Sequence, residues 1–359
     1  METVATVKNS AACAQQGVWL WRWRGYSWRV SRREIWVGGS LLILALLFAA
    51  LAMTVGKLPI RFVEVWELLS SSDPANFKAR VLLEIRLPRI LTALFAGAAL
   101  GLSGAIFQSI SRNPLGSPDI IGFTSGAATG ALIQIILFSG SAIDVALSAI
   151  LGGLITAALV YLLSLKAGRV GRYRLVLIGI GVGSVLSALN GLLLVKGSLD
   201  SAMSANLWLS GSLHARTWSH VWPVMGGVLL LIPVVKALAR PLMMLEMGDD
   251  SARQLGVSVE AVRLFMTLAA VTLAALATGA AGPIAFIALA APQLVRRLRR
   301  SANLPLVSAA LMGACLLLGA DLATQLIPIP WTLPIGRITG IIGGVYLLML
   351  LMQSKQRAD

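Results

Sequence analysis

The groups in this chain that could do chemistry are few, and their spacing argues against catalysis. His214 and His220 are its only histidines, and no cysteine or carboxylate cluster accompanies them at metal-ligand spacing. Cys13 falls in the N-terminal tail and Cys315 in an apolar run, so no disulfide framework is expected. A G-x-x-x-x-G-K-[ST] loop to cradle nucleotide phosphates is absent, and GIGVGS at 179–184 lacks the last glycine of a dinucleotide fingerprint. What remains is ionic and docking chemistry. Asp321 and Arg337 stand in or beside apolar runs, where an ionisable group is a functional candidate by default. Asp321 could equally cap or pair near a surface. The stretch LMMLEMGDDSARQLGVSVEAVR, residues 242–263, interrupts the apolar pattern with charge.

That interruption reads as short helix, turn, long helix. Ser251-Ala252-Arg253-Gln254 fits a capping box, Asp249 and Asp250 bring negative charge to the helix's positive end, and Gly256 can close it. Ser258 offers a cap for the next helix, with Glu260 in its first turn. Met243, Met244, Leu245, Met247 and Leu255 are the apolar residues available for contact. The expectation is a surface outside the bilayer onto which a soluble partner docks.

The elements that must position these groups follow from composition. Hydrophobic residues make up 57% of the 359-residue chain and charged residues 13%, too little polarity to cover a soluble domain. A bilayer core about 30 Å thick needs roughly 20 apolar residues at about 1.5 Å each. The expected fold is therefore an all-α polytopic membrane protein. About ten transmembrane helices are read near 36–55, 88–111, 120–138, 142–165, 175–195, 221–238, 263–281, 284–295, 305–327 and 335–352. The eighth is short, and is expected either as a partial span or as a helix continuing into the basic stretch after Pro292. The organisation is a basic, Trp-rich tail over 1–35, a ten-helix domain over 36–353 and a short tail over 354–359, with short coupling helices between helices six and seven.

A net charge of +15 could suggest nucleic acid, but the cations follow membrane topology. With a cytoplasmic N-terminus, Lys8, Arg22, Arg24, Arg29, Arg32, Arg33, Arg112, Lys166, Arg169, Arg172 and Arg174 fall inside. So do Lys236, Arg240, Arg253, Arg263, Arg296, Arg297, Arg299, Arg300, Lys355 and Arg357, which satisfies the positive-inside rule with both termini in the cytoplasm. The first outer loop is the exception: Lys57, Arg61, Lys78, Arg80, Arg86 and Arg89 are partly balanced by Glu64, Glu67, Asp73 and Glu84. The tail has no apolar core of signal length and no small-residue cleavage site, and its interleaved Trp and Arg suit a headgroup-level lipid anchor rather than nucleic acid.

Within the spans, Gly97 and Gly101, then Gly122, Gly126 and Gly130, then Gly179 and Gly183, then Gly336, Gly340 and Gly344 recur every fourth residue, a spacing that lets helices approach closely. Packing inside one subunit is the first expectation for these, with a subunit interface as the alternative. Helix-breaking clusters occur at Asn113-Pro114 through Pro118, at Gly282-Pro283, and at Pro328, Pro330 and Pro334 ahead of Gly336. Irregular backbone at membrane depth survives only against protein or a water-filled cavity, so these breaks are candidates for pathway lining or gating, against ordinary turns.

Four stretches carry a family resemblance: IRLPRILTALFAGAALGLSGAIFQSISRNPLGSPDIIGFTSGA at 85–127, LGVSVEAVR at 255–263, AGPIAFIALAAPQLVRRL at 281–298 and LPIGRITGIIGG at 333–344. The chain from about 36 to 352 resembles the ten-helix permease subunits of ABC importers for iron-siderophore complexes, cobalamin and haem. Through LEMGDDSARQLGVSVE and RNPLGSPDIIGF it is most similar to the ferric-enterobactin type. The resemblance implies that Met247, Gly248, Asp249, Asp250, Ala252, Arg253, Leu255 and Gly256 couple to a separate ABC ATPase dimer, which carries the ATP and Mg. The chain itself would bind no cofactor or metal and would not be an enzyme. It implies that Arg86 and Arg89 meet acidic residues of a periplasmic ferric-siderophore-binding protein. It also implies a second permease subunit, a homologous one in the enterobactin type, and alternating access across a bacterial inner membrane. Asn113, Pro114, Gly282, Pro283, Asp321, Pro334 and Gly336 are the pathway or gating candidates. Two positions depart from the family pattern: Gln293 stands where a histidine is common, and Gln325 where an arginine occurs. A rival reading, an ion-coupled secondary transporter, would need paired ionisable groups within the membrane, for which only Asp321 and Arg337 are available.

Overall fold

All ten apolar runs become helices, with ends close to those expected except that the second begins at Phe77, eleven residues before the expected 88. The computed structural model describes residues 18–23, 26–56, 58–70, 76–166, 169–299, 306–327 and 333–355. Cys13, Lys8, Arg24, Lys57, Asp73, Arg300, Pro328, Pro330 and Arg357, named above, lie outside the described residues. The chain opens with strands β1 (Val18–Trp23) and β2 (Tyr26–Ser31), an antiparallel hairpin in which Trp21 faces Trp28 in register. Ser31 then caps α1 (Arg32–Thr54), its hydroxyl accepting from the Glu34 amide at 3.2 Å, so the first span begins four residues before the expected 36. The hairpin was not expected, although YSWRVS alternates bulky and polar residues, and WLWRW repeats Trp, with a strand's period of two.

A connection follows, made of α2 (Phe62–Ser70) and the first turns of α3 (Phe77–Ser111). Glu64 accepts a 2.8 Å bond from Lys78, and that bond, outweighing partial desolvation, holds the Glu64 carboxyl below the usual glutamate range. The α3 helix passes through a π-helical turn at Val81–Arg86 before entering the bundle. The remaining elements are α4 (Phe123–Leu137), α5 (Ala142–Ser164), the two-residue strands β3 (Leu165–Lys166) and β4 (Arg169–Val170), α6 (Arg172–Lys196), α7 (Leu199–Leu209) and α8 (Trp218–Ala237). After them come α9 (Ala239–Glu246), α10 (Asp249–Gln254), α11 (Val259–Ala281), α12 (Ile287–Arg299), α13 (Leu306–Leu326) and α14 (Ile335–Lys355).

Small residues decide which helices form the centre. A Cβ on Gly97 or Gly101 would run into the backbone of Gly313 or Ala309 on α13, and one on Gly104 into the Ala288 carbonyl on α12. These contacts draw α3, α12 and α13 together, and α3, α11 and α13 are accordingly buried along most of their lengths. On the other side Gly126 and Gly130 of α4 meet α5 at Gly152, Thr156 and Ser148, while Gly122 abuts Gly183 of α6. Gly340 and Gly344, by contrast, have nothing within reach, so the internal-packing expectation holds for most of the repeats but not for these two.

The eighth helix is both a partial span and a continuation. Gly104, which α12 meets at Ala288, lies two turns short of the end of α3, so α12 starts at intermediate depth. It then runs through Pro292 into the basic stretch as far as Arg299. Residues 282–286, which connect it to the end of α11, carry no helix or strand.

Candidate functional site

Two sites emerge, one at each end of the bundle. At the first, α9 and α10 form a small platform beyond the ends of α8 and α11. Leu242 and Leu245 of α9 and Ala252 of α10 point inward and are buried, which anchors the platform to the bundle. Met247 and Leu255 point outward, 71% and 59% exposed, at either end of α10. The expected apolar contact set therefore divides, with Leu245 serving the core and Met247 and Leu255 free to meet a partner.

The capping box expected at Ser251 is not formed. The α10 helix starts three residues earlier with Gly248 as its N-cap, so Ser251 lies inside it. Gly248 adopts φ +128°, a conformation that an L side chain resists, and this lets the chain reverse between α9 and α10. Asp249 and Asp250 do occupy the positive end of α10. Gly256, at φ +80°, closes it, its amide donating to the Arg253 carbonyl at 2.9 Å.

Asp249 is the knot of this platform. Its two carboxylate oxygens accept from Arg112 at 2.5 Å and from Arg263 at 2.8 Å, joining the end of α3, α10 and the first turns of α11. Arg263, almost fully buried, also donates to the Val170 carbonyl at 3.0 Å and pairs with Glu260. Asp250 is different: its side chain is almost fully exposed and pairs only along its own helix, with Arg253. Arg296 of α12 reaches Glu246 at 3.4 Å. The turn containing Asn113 and Pro114 adjoins the same platform, because Arg112 holds Asp249 and Gln293 of α12 donates to the Pro114 carbonyl. Gln293, the position where a histidine was noted as common, thus serves as a tie between α12 and this turn.

At the opposite end, three backbone segments converge. Gly211, just after α7 and at φ +66°, and Gly336, in the first turn of α14, both press against the carbonyl of Pro283. Gly336 also abuts the Ser210 carbonyl, and the Ser212 amide donates to the Ala281 carbonyl at 2.8 Å. Gly282, Pro283, Pro334 and Gly336, separated widely in sequence, are therefore neighbours, and Gly211 joins them. Phe286 ends the irregular stretch with φ +70° and lies under Gly343 of α14. Of the pathway candidates, Asn113 and Pro114 belong to the platform end and Asp321 to a separate ion pair.

Arg86 and Arg89 are committed within the chain. Arg86, buried, donates to the Met53 and Leu58 carbonyls and fastens the α1–α2 connection to α3. Arg89 grips Asp321 through Nε at 3.1 Å to both oxygens and Nη2 at 2.7 Å, while Gln325 donates to the second oxygen at 2.9 Å. Arg86 thus clamps the α1–α2 connection, and Arg89 has an internal partner that a docking protein would have to share or replace. Asp321 pairs with Arg89 and not with Arg337, whose partners are Ser210 and Asn206. Arg112, Arg263, Asn206, Ser210 and Gly211 were not singled out as site residues from sequence. Only the glycine before a turn and the basic residues flanking the polar interruption hinted at them.

The sequence model described as the FecCD transport family matches residues 41–353. Among characterised proteins, the chain is similar to the ferric enterobactin transport system permease protein FepG of Escherichia coli (strain K12), 45% identical over 90% of this chain and 99% of that protein. It is also similar to the iron(3+)-hydroxamate import system permease protein FhuG of Bacillus subtilis (strain 168), 35% identical over 88% of this chain and 95% of that one. The hemin transport system permease protein HmuU of Yersinia pestis is 34% identical over 89% of this chain and 96% of its own length. Among solved structures, an inward-facing metal-chelate type ABC transporter superposes with a TM-score of 0.79 at 31% identity, covering 88% of this chain and 99% of that one.

Proposed function

The chain belongs to the FecCD transport family and is a multi-pass permease subunit of a chelate-importing ABC transporter; from that premise we propose that its cargo is a ferric siderophore of the catecholate, enterobactin-like kind. The cargo reading is supported by the similarity to the enterobactin permease over nearly the whole of both chains. In this reading the α9–α10 platform sits in a cleft of a separate ATPase dimer, with Met247 and Leu255 as the gripped residues and the Asp249 knot transmitting the push to α3 and α11. ATP and Mg act on that partner. A homologous second permease completes the pathway, a periplasmic binding protein delivers cargo to the end that carries Arg89, and the platform end and both chain termini face the cytoplasm. Cargo moves by alternating access with no covalent step.

A hydroxamate or haem cargo is the second reading, favoured by the similarity to the hydroxamate and hemin permeases. Uptake of radio-iron ferric catecholate, ferric hydroxamate and haem by cells with and without the chain separates the two. Selective loss of catecholate uptake is the expected result. Loss of another cargo would leave the importer and remove the catecholate assignment. ATPase stimulation by a cognate binding protein distinguishes the importer from an ion-coupled transporter, in which ATP hydrolysis would not respond.

A further inference from the structure

Arg337 has no role in the account so far, and its surroundings are unusual for a cation at the head of an apolar helix. Its Nε donates to the Ser210 hydroxyl at 3.1 Å and its Nη2 to the Asn206 side-chain carbonyl at 3.2 Å, both neutral acceptors. Among the described residues no carboxylate pairs with it: α14 carries no acid, and the one acid of α7, Asp200 in its first turn, forms no ion pair with Arg337. The Ser210 acceptor is itself fixed, since its hydroxyl donates to the backbone carbonyl of Asn206 at 2.8 Å. The guanidinium, with five N–H donors, is thus aimed without being neutralised.

It is aimed at a cavity. Met203, Asn206, Leu207, Ser210, Pro334 and Arg337 line a space of about 300 Å³, with Met203, Leu207 and Pro334 as apolar wall. Beside it Gly211, Pro283 and Gly336 meet backbone to backbone. The N-terminus of α14 adds its positive dipole end at the same place. An apolar concavity with a few convergent polar groups is the general form of a small-molecule site, and this volume is at the low end of the usual range of about 300–1,000 Å³. Such a space takes one edge of a bulky chelate and leaves the rest outside, which suits a contact that must release its ligand.

We infer that this cavity is a contact site for the anionic oxygens of a passing iron chelate and that Arg337 favours net-negative chelates over neutral ones. The inference rests on the importer reading above and deepens it. Three dianionic catecholates around Fe(III) leave a trianion, whereas three monoanionic hydroxamates leave a neutral complex. Attraction between an anion and an uncompensated guanidinium is stronger beside apolar walls than in water, so charge is the property this site can discriminate.

The test uses wild type, Arg337→Gln and Arg337→Lys, with abundance in the membrane checked for each. Radio-iron uptake in cells lacking the native chain is combined with binding of ferric tris-catecholate and ferric tris-hydroxamate to the purified permease assembly. Arg337→Gln should lower catecholate binding and uptake by about tenfold at low salt, with the difference shrinking as salt rises, while Arg337→Lys retains most of both. Hydroxamate binding should not change. Equal loss with both chelates, as a lipid-headgroup or purely structural role would give, overturns the inference, and so does equal loss in the Lys and Gln variants or no loss in either. If wild type restores uptake of no chelate, the importer reading falls as well; if wild type is active and Arg337→Gln is unaffected, only this inference falls.

Discussion

Asp249 and Asp250 are adjacent and chemically identical, yet the structure gives them different work. Asp249 balances Arg112 and the nearly buried Arg263, whereas Asp250 stands in solvent with only Arg253 beside it. Removing Asp249 leaves Arg263 without its closest carboxylate and unties the end of α3 from the platform. Asp249→Ala is therefore expected to lower the stability of the assembly by about 1–3 kcal/mol, less than for a fully buried pair because Asp249 is partly exposed. Asp250→Ala should stay within about 0.5 kcal/mol, as an exposed pair on one helix turn contributes little. Thermal inactivation of the detergent-purified complex measures both. Charge reversal sharpens the contrast: Asp249→Lys should abolish coupled ATPase stimulation, and Asp250→Lys should reduce it only where that carboxylate itself touches the partner. Equal effects of the two alanine variants on stability would reject the knot.

At the scale of elements, glycine placement separates helices that must touch from faces that are free. A Cβ at Gly104 collides with the Ala288 carbonyl, and backbone cannot move aside as a flexible side chain can. Gly104→Ala should therefore push α12 from α3 at a cost of about 1–3 kcal/mol, while Gly340→Ala, with nothing within reach, should leave the isolated subunit unchanged or slightly stabilised through helix propensity. Melting temperatures of the two variants decide it, and a Gly340→Ala loss as large as that of Gly104→Ala would show that the fourth-residue spacing has one meaning throughout. The sequence displays the spacing but not the partner, which is why all four glycine series looked alike there. Helix positions were legible for a firmer reason: about 20 apolar residues in a row have few alternatives to a span. The coupling segment was legible because charge inside an apolar chain needs a cause. The Asp249–Arg112–Arg263 knot and the Arg89–Asp321 pair were hidden because each joins residues far apart in the chain, and only packing brings them within hydrogen-bond reach.

At the scale of the whole molecule, the two sites lie at opposite ends of helices long enough to cross a bilayer. The α11 helix runs 23 residues, about 35 Å at 1.5 Å each, from the platform at Ser258 to the convergence at Gly282, against a hydrocarbon core of about 30 Å. Ionic ties gather at both ends: Glu246, Asp249, Arg112, Arg263 and Arg296 at one, Glu64, Lys78, Arg89 and Asp321 at the other. The positive-inside expectation and the proposed cytoplasmic energy source both call for the platform end in the cytoplasm, so one topology experiment bears on both. In a Cys13→Ser background, with Cys315 buried against α1, Glu84→Cys and Asp250→Cys each present one exposed thiol at opposite ends. A membrane-impermeant maleimide should label Glu84→Cys in intact spheroplasts and Asp250→Cys only after the membrane is opened. The reverse pattern would invert the chain, put the platform beyond the reach of a cytoplasmic ATPase, and leave the exposed Met247 and Leu255 in need of a different partner.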